Sequence, residues 1–198
     1  MIHSVFPNLI HSIEIENFKK IQGELIDFVY NEESENPIGQ LFSNRGGWQS
    51  NPFYHQNDNL LFSILNKEII SYFSDSSIFK QNFKISYTGL WLNINKSGDY
   101  NAWHCHPTCD LSGVFWIEVP ADGGNINFAS PHEFVENKSF KIYNSRVMEQ
   151  LNYFEEYWFS PSPGRILIFP SHLYHEVLPN QTRNDRISAS FNLNISVT

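Results

Sequence analysis

Two histidines, His104 and His106, stand two residues apart in the stretch Asn101-Ala-Trp-His-Cys-His-Pro107. Imidazole is a good ligand for iron, zinc, copper and nickel. On a strand, alternate side chains share a face, so these two rings would point the same way. A third, His175, follows the apolar stretch Arg165–Pro170 far downstream. Three imidazoles on one face of an octahedral metal leave three positions open, two for a chelating co-substrate and one for dioxygen. A short way past His175 comes Arg186-Ile-Ser188. A guanidinium forks onto a carboxylate and keeps its charge when buried, and the period of two puts the Ser188 hydroxyl beside it. Together these residues have the chemistry of a mononuclear oxidation centre with a place for an organic acid.

Each residue also has a plainer reading. Any one histidine can be half-buried and hydrogen-bonded for structure alone. Arg186 can instead pair at the surface with Asp185 or Glu176. The third ligand can be Asp110 rather than His106, if the Pro107-Thr-Cys loop folds back. Tyr87, Trp91, Asn93 and Asn95 would alternate along one strand, which makes Asn93 and Tyr87 candidates to bond a co-substrate. Strand aromatics also serve as core. Trp103 and His172 flank the ligand candidates and are candidates to support them. His3, His11, His55 and His132 have no partner spacing and read as structural or surface residues.

Rigid elements must hold such a site. Residues 9–15 alternate as a first strand. Glu16 to about Glu33 reads as a helix, with Phe18, Ile21, Leu25, Phe28 and Val29 at three- and four-residue spacing. Gly23 weakens it by about 1 kcal/mol relative to Ala. Residues 34–47 form a polar loop ending in Gly46-Gly47-Trp48. Asn59 to Phe73 is a second amphipathic helix, capped by Asp58 or Asn59. From Phe83 the period changes to that of strands: Phe83–Tyr87, Gly89–Asn95, Tyr100–His106, Leu111–Pro120, Asn125–Phe128, Arg165–Pro170, His175–Leu178 and Ile187–Val197. Helices first and many short strands after predict a mainly β fold, a barrel or double-sheet jelly roll with N-terminal supporting helices. The expected organisation is one domain over 1–198, a helical buttress to about residue 80 and a β core from 83. Residues 132–160 are aromatic without clean periodicity, and read either as a lid or substrate loop or as a packed excursion.

Composition narrows the classes. Hydrophobic residues at 41% and charged residues at 17% fit a globular chain and exclude a disordered one. The net charge of −8 argues against nucleic acid or an anionic membrane as the partner. The two cysteines, Cys105 and Cys109, do not make a disulfide framework, and Cys105 would face away from the flanking histidines. The start of the chain has no signal-peptide pattern, and no apolar run reaches about 18 residues. A soluble cytoplasmic protein without membrane contact is expected.

The order of these motifs resembles the Fe(II)- and 2-oxoglutarate-dependent oxygenases. The residues that carry the likeness are His104-x-His106, Gly164 through Phe169-Pro170 to His175, and Arg186-x-Ser188. The chain is similar in particular to a family of uncharacterised 2-oxoglutarate oxygenases, from Gly46-Gly-Trp-Gln-Ser50 through His104-x-His-Pro107, Ser112-Gly113, Phe169-Pro-Ser171, His175-x-Val177 and Phe191-Asn192. That covers most of the chain. The resemblance implies a double-stranded β-helix, His104 and His175 as iron ligands, and Arg186 with Ser188 as the anchor for the far carboxylate of 2-oxoglutarate. It departs at His106, which stands where a carboxylate is usual. It implies a dioxygenase that hydroxylates a small-molecule or peptide substrate with release of succinate and CO2. The alternatives are a three-histidine dioxygenase that does not use 2-oxoglutarate, and a jelly roll that binds metal or ligand without turnover.

Overall fold

The computed structural model describes residues 6–53, 59–75, 78, 82–131 and 143–197. Two antiparallel sheets face each other. Sheet A takes the order β1 (His11–Glu14), β9 (Arg165–Pro170), β6 (Leu111–Glu118), β11 (Arg186–Val197), β4 (Phe83–Asn95) and β3 (Trp48–Gln49). Sheet B runs β2 (Asn44–Arg45), β5 (Tyr100–His104), β10 (His175–Val177), β7 (Ile126–Ala129) and β8 (Glu156–Phe159). Nearly consecutive strands fall alternately in the two sheets, as a jelly roll requires.

The early helices form as the periodicity predicts. Helix α1 (Lys19–Glu35) buries Leu25 and Val29, and helix α2 (Leu60–Asp75) buries Leu61, Leu65, Ile69 and Phe73. The side chain of Asn59 accepts the Phe62 N–H at 2.7 Å and caps α2. Gly23 has no neighbour within 4 Å, so a side chain is not excluded there by packing. Both helices share one core with sheet A, contributed by the odd residues Ile187, Ala189, Phe191 and Leu193 of β11 and by Leu90, Leu92 and Ile94 of β4. Alternation then turns the other residues of sheet A toward sheet B. At β6 and β9 that inner face is apolar, with Val114, Trp116, Leu167 and Phe169 packing on Ile126 and Phe128 of sheet B. At β4 and β11 it is polar, and the polar half is where the site lies.

Three details differ from the sequence expectation. The two strands around Thr88 are one 13-residue strand, interrupted by a bulge where Asn192 pairs with Gly89 and Leu193 with Tyr87. The strand expected to reach His106 ends at His104, because the next N–H of the turn that bonds, that of His106, goes to Ser171 O at 2.8 Å instead of a ladder. The polar loop holds β2, and Gly46-Gly47 forms the corner that carries the chain from sheet B to sheet A. Both glycines have φ +70, and a side chain on Gly46 would run into the Asp99 carboxylate. Within the aromatic insert, α3 (Ser145–Leu151) is capped by Asn144 and β8 pairs with β7. Residues 132–142 of that insert, and His3, His55, Asp58 and His132, lie outside the described residues.

Candidate metal and co-substrate site

His104 ends β5 and His175 begins β10, and the two are direct register partners. His106 lies past the strand, yet its ring comes to the same point. The ligand-capable nitrogens of His104, His106 and His175 all lie within 4.8 Å of one another, as no other such group does among the described residues. Ring centroids are 4.3 Å apart for His104 and His175, 5.0 Å for His104 and His106, and 5.4 Å for His106 and His175.

Two of the rings are oriented by their own strands. His104 donates Nδ1–H to Ala102 O at 2.7 Å, and His175 donates Nδ1–H to Leu173 O at 2.9 Å. These bonds fix the tautomer and make Nε2 the lone-pair nitrogen of each ring, the form a metal needs. Burial keeps all three neutral. Desolvation lowers the pKa of His104, and desolvation with the neighbouring His104 takes His106 to about 4 and His175 to about 3.

Asp110 is not part of this cluster. Its Oδ2 accepts the Ile195 N–H at 2.8 Å, and its own N–H donates to Leu193 O at 3.0 Å, so the carboxylate closes the edge between β6 and β11. The short turn does not fold back far enough to present it.

Arg186 is the second anchor. It is 1% exposed, and the surface pairing with Asp185 or Glu176 does not occur. Its Nη1 donates to Gly123 O and to Leu178 O, the latter at 2.9 Å. Gly124, at φ +89, leaves the space that Nη1 fills. Its Nη2 is buried with no hydrogen-bond partner among the described residues. Burial lowers the Arg186 pKa to about 10, against the favourable charge of Asp99, so the group stays cationic at neutral pH. A buried cation with one unmet N–H pair is costly unless an anion completes it. Ser188, opposite Asn93 across the β11–β4 pairing, lies on the same face. Arg186, Ser188 and Asn93 line one cavity with the three histidines. Asn93 donates Nδ2–H to Ser190 Oγ at 3.1 Å.

Tyr87 is not brought to the site. The extra residue at Thr88 reverses its face, and its ring sits in the helix-side core, 5.0 Å from Phe62 and 6.1 Å from Phe191. Trp103 stacks on Tyr174 at 6.1 Å and 8° and does not line the cavity, and His172 is exposed. His11 is a core histidine against Tyr72 and Phe73. Several lining residues were not assigned to the site from the sequence: Ser43, Asn101, Ser112 and Ser190. Asn101 and Ser112 stand within motifs that the sequence offers, and Ser190 is the next step of the Arg186-x-Ser188 alternation. The cavity chemistry fits an octahedral divalent metal beside a small dicarboxylate: three neutral nitrogen donors, one unsatisfied guanidinium, and hydroxyl and amide groups between them.

Comparison with known proteins agrees with that geometry. Residues 89–192 match the family model described as "Putative 2OG-Fe(II) oxygenase". Among curated proteins none matches the sequence. Solved structures with the same fold include a Pseudomonas putida prolyl-4-hydroxylase, 14% identical over 92% of this chain and 91% of that one, with a TM-score of 0.59. A viral collagen prolyl hydroxylase from Paramecium Bursaria Chlorella virus-1, solved as a 2OG complex, is 14% identical over 95% and 96%, with a TM-score of 0.58. A Trichoplax adhaerens prolyl hydroxylase, solved with a hypoxia inducible factor peptide fragment, is 16% identical over 93% and 83%, with a TM-score of 0.60. At these identities the likeness establishes the double-stranded β-helix.

Proposed function

Because this chain belongs to the 2OG-Fe(II) oxygenase family, we propose that its ferrous iron is held by His104, His106 and His175 and its 2-oxoglutarate by Arg186. Bound together, Fe(II) and 2-oxoglutarate supply dioxygen activation coupled to decarboxylation of the oxoacid to succinate and CO2, with oxidation of a substrate C–H bond. The protein's contribution is placement and electrostatics. Neutral imidazoles donate lone pairs without a proton to lose. Arg186 donates to the distal carboxylate through Nη2, with the Ser188 hydroxyl and Asn93 beside it. The apolar wall of Val114, Trp116, Ile126 and Phe169 keeps water from the far side of the cavity. Three uncharged ligands leave the metal dication without compensation, and a dianionic chelator supplies it. The substrate is a small molecule or a peptide, and the charge of −8 disfavours nucleic acid. No helix among the described residues is long and apolar enough to cross a membrane, and two free thiols suit a reducing cytoplasm. The helical buttress and the jelly roll act as one domain, since they share a single core.

The observation that carries this reading is the unpartnered, buried Nη2 of Arg186 in the same cavity as three converging imidazoles. Titration under nitrogen tests it. A weak visible charge-transfer band is expected only with Fe(II) and 2-oxoglutarate both present, and is expected to vanish in Arg186→Ala. A band that forms unchanged in that variant removes Arg186 from the role.

A further inference from the structure

His106 differs from its two partners in how it is held. Among the described residues no hydrogen bond fixes its ring nitrogens, whereas His104 and His175 each bond a carbonyl two residues back. Its ring lies against Trp91 at 5.9 Å and the two other histidines. Its position therefore comes from its backbone, which is outside any strand. That backbone is bracketed by Ser171: the His106 N–H donates to Ser171 O at 2.8 Å, and the Ser171 N–H donates to Asp110 O at 3.1 Å.

Ser171 is in turn tied down by a buried polar chain. Ser112 Oγ lies 2.8 Å from Ser171 Oγ and 2.7 Å from Asn192 Oδ1. The amide oxygen can only accept, and a hydroxyl has one proton. Ser112 therefore donates to Asn192 and accepts from Ser171. Ser112 and Ser171 are each 1% exposed, so bulk water is poorly placed to replace either bond. These three residues come from β6, the turn after β9, and β11, far apart in the chain. All three belong to the short motifs Ser112-Gly113, Pro170-Ser171 and Phe191-Asn192 that the proposed chemistry leaves unused.

We propose that Ser112 is a positioning residue for the third metal ligand, acting through Ser171 on the backbone of His106. The chain of bonds Asn192–Ser112–Ser171–His106 replaces the ring-orienting bond that this histidine lacks. The inference rests on His106 being a ligand, and the test separates the two.

Co(II) serves as the probe, read by its visible d–d band and by calorimetric titration. Four full-length proteins are compared: the native chain, Ser112→Ala, His106→Ala and the double variant. Loss of an outer support weakens metal binding by about tenfold or more. That loss is expected for Ser112→Ala in the native background, with its d–d band moving toward that of His106→Ala. In the His106→Ala background the same change is expected to alter affinity by less than about twofold, because the residue it acts on is gone. An equal loss in both backgrounds, or no loss in either, overturns the proposal while His106 stays a ligand. Unchanged Co(II) binding in His106→Ala overturns the ligand assignment and the proposal with it. If Ser112→Ala does not fold, Asn192→Ala removes the acceptor at the half-buried end of the chain and is read through the same cycle.

Discussion

His104 and His175 stand directly opposite each other across the β5–β10 pair, with ring centroids 4.3 Å apart. Two imidazolium ions cannot share that space, and burial already disfavours charge on each. Their folded pKa values, like those of His106 and His11, lie below the ordinary histidine value, mainly through desolvation. For His106 and His175 the unfolded chain therefore binds more protons than the folded one between about pH 6.5 and about 4 and 3 respectively. The stability these two neutral histidines contribute is complete above that window and is lost as pH falls through it. Metal-free protein is expected to lose about 1.4 kcal/mol per pH unit for each of the two while it stays neutral in the fold. Urea midpoints of metal-stripped protein from pH 7.5 to 4.5 measure this, and a flat profile contradicts it.

Arg186 offers two ends for two tasks: Nη1 bonds backbone carbonyls, and Nη2 is left for a further acceptor. Arg186→Lys keeps the cation but cannot bond those carbonyls and a carboxylate from two fixed ends. Removing one partner of a buried charge pair costs about 2–5 kcal/mol, or roughly 30-fold and upward in affinity. Calorimetry with 2-oxoglutarate on the Mn(II)-loaded protein is expected to show that loss in both Arg186→Lys and Arg186→Met. Equal affinities in the native and variant proteins contradict it.

Asp110 serves the sheet edge. Asp110→Asn keeps an acceptor for the Ile195 N–H and is expected to bind Co(II) within about threefold of the native protein, since only the bond's charge changes. Asp110→Ala loses the bond and is expected to cost about 0.5–1.5 kcal/mol in urea unfolding. Collapse of Co(II) binding in Asp110→Asn would return the carboxylate to the coordination sphere.

Tyr87 carries a buried hydroxyl with no partner among the described residues, and burial raises its pKa well above the phenol range. Tyr87→Phe removes that unmet group while keeping the ring against Phe62 and Phe191. Stability is expected to stay level or to rise by about 1 kcal/mol, with 2-oxoglutarate affinity unchanged. A marked drop in that affinity would place the hydroxyl at the co-substrate after all.

Local patterns made part of this legible. The stripe Leu61, Leu65, Ile69 and Phe73 announces α2, and period-two alternation puts Arg186 and Ser188 on one face without any knowledge of their neighbours. His104 and His175 stand out because imidazoles beside apolar strands are few. The same alternation misplaces Tyr87, since a bulge at Thr88 adds a residue that no hydrophobic pattern marks. His106 reaches the cluster for a reason other than alternation, its strand having ended at His104. Ser43, Asn101 and Ser112 owe their places to which strands pair within each sheet, and periodicity along one segment does not carry that. Helix α3 buries none of its residues, so it lacks the apolar stripe by which a helix is read.

The pairing of β5 with β10 also has a kinetic side. Between them in the chain lie β6, β7, α3, β8 and β9, which makes this pairing a contact between distant parts of the sequence. Closing so long a loop is entropically slow, and nothing local rewards it early. If the three histidines hold metal as proposed, an ion reaching the unfolded chain would find His104 and His106 close together, with His175 brought to them only as the sheets form. Capture of metal during refolding would thus follow the rate of barrel closure, not the rate at which ion and chain collide.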